Sequence, residues 1–315
     1  MRQTFREAPW YRSMLFVPGH ALDWMLKAPK YGADALIFDL EDAVPLEQKR
    51  TARGHVASAL DRLKDDPFGR YVRVNGWRTG FAARDVVDIV RPGLDGVMLS
   101  KCEDVEDVAA LDLLLTDLEL DQGMPVGHTE IFPLCETARA FYRHFELCSA
   151  SERVRRAGYL GNAIQGDVTR ALGLQLTTEM GDEALWTNAR SGLEARAAGV
   201  TQIVGGMTAK IGDLDLVRRL AMRAKSLGAN GALAIHPSFV PVLNAVFAPS
   251  AGEIDDARGV VDAMEDALAR GAAATRFRGE MIDYAHLRVA IDTLTKARSL
   301  GIDVGELPDI PILSY

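Results

Sequence analysis

The chain reads as an α/β protein, a closed (β/α)8 barrel with a C-terminal helical extension or lid, and three observations lead there. Short apolar runs of β type alternate with longer segments of helical period, the pattern of repeated βα units. Eight such runs occur, at 13–17, 34–39, 70–74, 95–99, 129–134, 157–161, 201–204 and 231–235, the number that closes a barrel. Ionisable residues recur where these runs end, and parallel barrels place their working groups at the carboxyl ends of strands. An open doubly wound sheet shares the alternation. It would usually begin with a Gly-rich turn, however, and no G-x-G-x-x-G follows the first run.

Between the runs lie helix candidates near 21–31, 47–63, 82–91, 104–120, 137–149, 183–198 and 213–227, each long enough to cross back over a sheet. An apolar segment at 239–247 follows, then an Asp/Glu/Ala-rich stretch from Glu253 to Gly271 that reads as a solvent-facing helix. The segment 272–286 is too irregular for a barrel layer and reads as an arm, a lid or a packing element leading into a last helix near 285–299. The domain reading is therefore a barrel over 1–250 and an extension over 251–315.

Of the 315 residues, 48% are apolar and 25% charged, which fits a soluble globular protein with a large core. A formal charge of -8 argues against a nucleic-acid surface. Cys102, Cys135 and Cys148 have neither zinc-site spacing nor a disulfide framework and read as reduced thiols. No segment offers about 18 uninterrupted apolar residues, and the first residues lack the apolar core of a signal peptide. The expectation is a cytoplasmic protein with no membrane partner.

The strand ends carry the chemistry. The run that begins at Asp34 finishes in Asp39, Glu41 and Asp42; the third carries Arg73, the fourth leads into Lys101, the fifth into Glu136, the sixth toward Asp167, and the eighth into His236-Pro237. Arg73 stands between Val72 and Val74, and a charge inside an apolar strand needs a partner, so it is expected to face those acids. Glu136 and Asp167 are the metal candidates, since Mg2+ takes one or two carboxylates and fills its octahedron with water and substrate oxygens. His128, His144 and His236 are too dispersed for a three-histidine zinc site. The basic run Arg153 to Arg156 reads as a solvated helix end, and Lys101 pairs either with the mouth acids or with Glu103 and Asp104.

These residues support a resemblance. Arg12-Ser-Met-Leu-Phe-Val-Pro-Gly19, Phe38-Asp-Leu-Glu-Asp-Ala-Val44, Arg73-Val-Asn75, Glu136-Thr-Ala138, Gly166-Asp167, Ala234-Ile-His-Pro237 and Gly279-Glu-Met-Ile-Asp283 occur in this order over nearly the whole chain. In these pieces the sequence resembles the citrate lyase beta-subunit-like coenzyme A ester lyases of the HpcH/HpaI aldolase superfamily. The resemblance implies a TIM barrel with a C-terminal extension. It also implies reversible cleavage of a 3-hydroxyacyl-coenzyme A, such as malyl- or citramalyl-coenzyme A, into an acyl-coenzyme A and a 2-oxoacid through an enolate. Hydrolysis of the same thioesters, a coenzyme-free oxoacid aldolase and a non-catalytic subunit are the alternatives.

By the same resemblance, Glu136 and Asp167 hold Mg2+, with Mn2+ as the alternative ion, while Glu41 and Asp42 orient its waters and Arg73. Arg73 holds the thioester oxygen, and Asp283 exchanges the proton at the enolate carbon. Phe16, Lys27, Ile235 and His236 match positions that contact coenzyme A. Ala21 and Ala232 depart from the pattern, standing where an arginine and a lysine are found. The tail carrying Asp283 is expected to cover a neighbouring subunit, which implies a homotrimer or a multiple of it.

Overall fold

Each strand of the barrel puts alternate residues into two different cores. In the computed structural model, which describes residues 7–159, 166–206 and 208–307, eight strands form one sheet. They are β1 (Ser13–Pro18), β2 (Ala35–Asp39), β3 (Gly69–Val74), β4 (Gly96–Leu99), β5 (Glu130–Pro133), β6 (Arg156–Tyr159), β7 (Gln202–Gly205) and β8 (Gly231–Ala234). Their order is β5-β4-β3-β2-β1-β8-β7-β6, and the paired neighbours run parallel. Across the remaining seam the Ile131 N–H donates to the Arg153 carbonyl at 2.9 Å, leaving a nearly closed TIM-type barrel.

Met14, Ala35, Ile37, Tyr71, Met98, Phe132, Val204 and Leu233 make up the inner core. Their neighbours Leu15, Leu36, Phe38, Val72, Val97 and Ile131 belong to the larger core shared with the helices, as a strand's period of two requires. The parity continues upward: Asp39 follows Ala35 and Ile37, Arg73 follows Tyr71, and Glu136 follows Phe132 and Leu134. The inner face of the barrel therefore becomes charged at its carboxyl end.

The crossover segments are helical: α1 (Leu22–Lys27), α2 (Lys49–Leu63), α3 (Ala82–Ile89), α4 (Val105–Asp121), α5 (Ala138–Tyr142), α6 (His144–Ser149), α7 (Asp167–Ala171), α8 (Leu185–Ala197), α9 (Leu214–Ser226) and α10 (Val240–Phe247). The expected single helix over 137–149 is two, because Arg143 leaves helical geometry at φ -110°, ψ 24°. Among the described residues no helix is long and apolar enough to cross a membrane. Cys102, Cys135 and Cys148 are buried thiols outside any disulfide among the described residues.

The basic run at 153–156 is not a solvated helix end. Arg153 is buried, its Nε donating to Asp112 at 2.6 Å and its two terminal nitrogens to Glu119 at 2.8 Å. Arg156 is fully buried between the rings of Tyr11 and Tyr71, at 4.5 and 5.4 Å, with Glu130 3.6 Å away. The Tyr71 hydroxyl completes this floor by donating to Glu130 at 2.7 Å. Both guanidinium groups are thus paired, the condition for burying a charge.

The described chain divides into two compact units, with the division between Phe247 and Ala248. In the second, α11 (Ala251–Ala269) starts at a capping box formed by Ser250 and Glu253, and α12 (Tyr284–Ser299) returns beside it around Val261, Met264, Leu287 and Leu294. The segment 272–286 is more regular than its sequence implies. It holds an antiparallel hairpin, β9 (Ala274–Phe277) and β10 (Glu280–Asp283). Arg278 and Gly279 turn it with φ of 48° and 89°, the left-handed pair that two-residue hairpins favour. Arg in place of the usual Asn hides that signal, and Arg278 is held by ion pairs to Asp255 and Asp256.

Candidate active site

Asp39 and Arg73 occupy partner positions in the β2–β3 register. Their side chains meet in a two-point bond, Arg73 Nε to Asp39 Oδ1 at 2.8 Å and Nη2 to Oδ2 at 2.6 Å. Asp39 also accepts from the backbone N–H of Glu41 at 2.8 Å and of Ala43 at 3.2 Å, so one carboxylate fixes both the arginine and the acidic loop. Arg73 Nη1 lies 3.0 Å from Glu41 Oε2, and its guanidinium stands 4.9 Å above the Phe16 ring. Burial works against the Arg73 charge, but the bonds and charge of Asp39, then Glu41, hold its pKa above the ordinary range. This cation is permanent, and the two-point bond to Asp39 fixes its orientation.

The loop is braced from below. Lys49, buried at the start of α2, donates to the carbonyls of Leu40 and Glu41 at 2.7 Å each and to Asn75 Oδ1 at 2.9 Å. Asn75 in turn donates to Asp85 at 2.6 Å. Gly19 is needed beside it, because a Cβ there would meet the Asp39 carbonyl oxygen at 2.6 Å.

Further round the mouth, Lys101 Nζ bridges Glu41 Oε1 at 3.0 Å and Asp167 Oδ2 at 3.1 Å, with Asp42 Oδ1 at 3.9 Å. Of the two pairings open to Lys101, the mouth acids are thus its partners. Lys101, Glu136 and Asp167 line one pocket of about 450 Å3 together with Arg139 and Arg170. Glu136 is 8% exposed and its Oε2 has no hydrogen-bond partner. Burial, then the nearby Glu41 charge, pushes its pKa up to about 8, against the pull of Arg73 and Lys101. Arg73 and Lys101 thus pair with Asp39, Glu41, Asp42 and Asp167, while Glu136 keeps a bare oxygen.

A divalent cation fits that arrangement. Glu136 offers a buried oxygen without a donor, and Asp167 lines the same pocket; an oxygen pair with room for water matches the preference of Mg2+. Among the described residues no three His, Cys, Asp or Glu side chains form a cluster able to hold a metal by themselves, so water and substrate would complete the shell.

Phe16, Lys27, Ile235 and His236 line a second pocket, of about 480 Å3, with Trp24 and Tyr31. β1 and β8 are neighbours in the barrel, which explains how residues so distant in sequence converge. His236 Nδ1 accepts from the Ser238 N–H at 3.2 Å and lies 2.8 Å from its hydroxyl, fixing the turn before α10. Ala232 is buried, and Ala21 precedes α1 without a side-chain cap.

Of the residues read from sequence, Arg73, Glu41, Glu136 and Asp167 share the mouth, while Asp42 is the most exposed, with 65% of its side chain open to solvent. Asp283 belongs to the second unit, at the start of α12. There its Oδ1 lies 2.9 Å from His286 Nδ1 and accepts from the Ala285 N–H at 2.9 Å. The bond to His286 is the main cause holding this carboxyl below its usual range. Two partners were missed in the set read from sequence. Asp39, noted as an acid at the strand end, is the direct partner of Arg73, and Lys101 joins Glu41 to Asp167.

A (β/α)8 barrel with a buried arginine pinned among carboxylates at its carboxyl mouth has the groups of a barrel enzyme's active site in the place where such sites are built. Residues 12–237 match the family model described as HpcH/HpaI aldolase/citrate lyase, and the chain belongs to this family of carbon–carbon lyases. It is 32% identical to the citrate lyase subunit beta of Leuconostoc mesenteroides subsp. cremoris over 86% of this chain and 88% of that one. Identity to the L-malyl-CoA/beta-methylmalyl-CoA lyase of Cereibacter sphaeroides is 33%, over 89% and 92% of the two chains. The structure of CitE from Mycobacterium tuberculosis, in complex with magnesium, acetoacetate and coenzyme A, superposes with a TM-score of 0.69. That match has 26% identity and covers 95% of this chain and all of the other.

Proposed function

We propose that the protein is a Mg2+-dependent lyase that cleaves or forms a 3-hydroxyacyl-coenzyme A, exchanging it with an acyl-coenzyme A and a 2-oxoacid. The observation that carries this reading is the Arg73 guanidinium, fixed by Asp39 and Glu41 beside the pocket of Glu136 and Asp167. Magnesium held by Glu136 and Asp167 would supply a Lewis acid and a template for the oxoacid oxygens.

Arg73 meets the thioester oxygen as negative charge develops there. Because Asp39 has already fixed its orientation, little reorganisation is needed when the enolate forms. Phe16 covers the guanidinium and helps keep water from it. In the condensation direction the ionised Asp283 takes the α-proton of the acyl thioester, the enolate carbon bonds to the oxoacid carbonyl carbon, and the resulting alkoxide takes a proton from water. In cleavage the hydroxyl gives its proton to water as its C–O bond becomes the oxoacid carbonyl, the electron pair of the breaking carbon–carbon bond becomes the enolate, and the protonated Asp283 delivers a proton to the enolate carbon. Glu41 and Asp42 orient Arg73 and bound water. The pocket of Phe16, Lys27, Ile235 and His236 receives the coenzyme, with Lys27 as the lysine on its wall. The magnesium and coenzyme A in the CitE structure support both assignments.

The test is mass-spectrometric product analysis with malyl-, citramalyl- and methylmalyl-coenzyme A, with and without Mg2+. The expected result is a shortened acyl-coenzyme A plus a 2-oxoacid, only with the metal. Free coenzyme A and an intact hydroxy acid would instead make the protein a thioesterase.

A further inference from the structure

Lys101 has an unusual place in the mouth. Its backbone is left-handed, at φ 51°, a conformation that residues other than Gly, Asn and Asp seldom adopt and that clusters at functional sites. Ser100 and Cys102 on either side are buried, so the turn between them is fixed at both ends. The ammonium is thereby delivered to Glu41 and Asp167 at 3.0 and 3.1 Å. Meanwhile the other carboxylate of the pocket, Glu136, keeps a buried oxygen without any hydrogen-bond partner. One of the two oxygen donors is thus occupied by a lysine, and the other is bare.

We propose that Lys101 is a built-in counter-ion: it holds Asp167 in the mouth before a divalent cation arrives and yields that carboxylate when the ion binds. Loading of the site is then an exchange of ammonium for metal. Lys101 acts as a positioning residue and sets the metal affinity. A dication between Glu136 and Asp167 repels the ammonium and competes for the same oxygen, so the native affinity is lower than the acids alone would give. Before the metal binds, the same lysine offsets the charge of Asp167 and shares that of Glu41 with Arg73. This inference rests on the reading of Glu136 and Asp167 as the metal pair.

The experiment titrates the purified full-length protein with Mn2+, following the free ion by electron paramagnetic resonance, and compares wild type with Lys101→Met. Lys101→Asn serves as a second variant, since Asn tolerates the left-handed backbone. Both variants are expected to bind Mn2+ on the order of tenfold more tightly, the equivalent of one charge-assisted hydrogen bond no longer surrendered. Their metal-free forms should melt at lower temperature than wild type, and saturating Mn2+ should raise their melting temperature more. Unchanged or weaker binding in both variants, beside a wild type that binds, overturns the counter-ion while leaving the metal pair intact. No binding by wild type removes the metal pair and the inference together.

Discussion

At the scale of single residues, the mouth turns on how a permanent cation is held rather than on its mere presence. Arg73 makes a planar two-point bond to Asp39 that an ammonium cannot reproduce. Arg73→Lys is therefore expected to keep the charge and the fold but lose the aim. Its kcat should fall by about 10²–10³-fold, the usual loss when one oriented donor to a developing oxyanion is removed. KM for the thioester should change little, and steady-state kinetics beside a circular dichroism spectrum check both. Unaltered kcat would remove Arg73 from the enolate. That Arg73 faces acids was legible from its place between two valines. For Lys101 the sequence left two pairings open, because its partners lie on two other loops far away in sequence. Arg153 was misread for the same reason: Glu119 and Asp112 stand 34 and 41 positions earlier.

At the scale of elements, the break between α5 and α6 places His144 at the first position of α6, fully enclosed. Its Nδ1 lies 3.0 Å from the Ser191 carbonyl oxygen, and Nε2 has no hydrogen-bond partner. Burial pushes its pKa down to about 4 from an ordinary 6.5. The unfolded chain therefore binds a proton that the folded chain refuses between those two values. Stability from this group is intact above pH 6.5 and falls as the pH drops toward 4, by about 1.4 kcal/mol per pH unit. Urea denaturation across that range should show the slope, and His144→Leu should flatten it; an equal slope in both proteins would assign the loss to other groups. Elements with a strong local period were readable, as the near coincidence of all eight strands shows. The hairpin of β9 and β10 was not, since its strands are short and largely exposed.

At the scale of the whole molecule, the proposed chemistry draws Glu136 from the first unit and Asp283 from the second. The homotrimer, or multiple of it, that the resemblance implies would let them come from different copies of the chain. Glu136→Ala and Asp283→Ala proteins are each expected to be inactive. Mixing them, after a mild dissociation step, should restore part of the activity, because some sites then receive both intact residues. Two active singles would discard these assignments, and no recovery from two inactive ones would place both residues in one chain. The barrel was legible because its βα period repeats; the substrate was not, since a preference of one methyl group can rest on roughly 1–3 kcal/mol from a single side chain.

The three buried cysteines give the barrel an internal clock. Cys102 follows Lys101, Cys135 precedes Glu136, and both are buried with Cys148. A thiol reagent in solution reaches them only when the structure around them opens, and burial further suppresses the reactive thiolate of Cys102 and Cys135. The labelling rate in native buffer therefore measures how often the walls of the mouth breathe. Resolved by peptide mapping, it tells whether the strand end leading to Glu136 and the turn carrying Lys101 open together or one before the other.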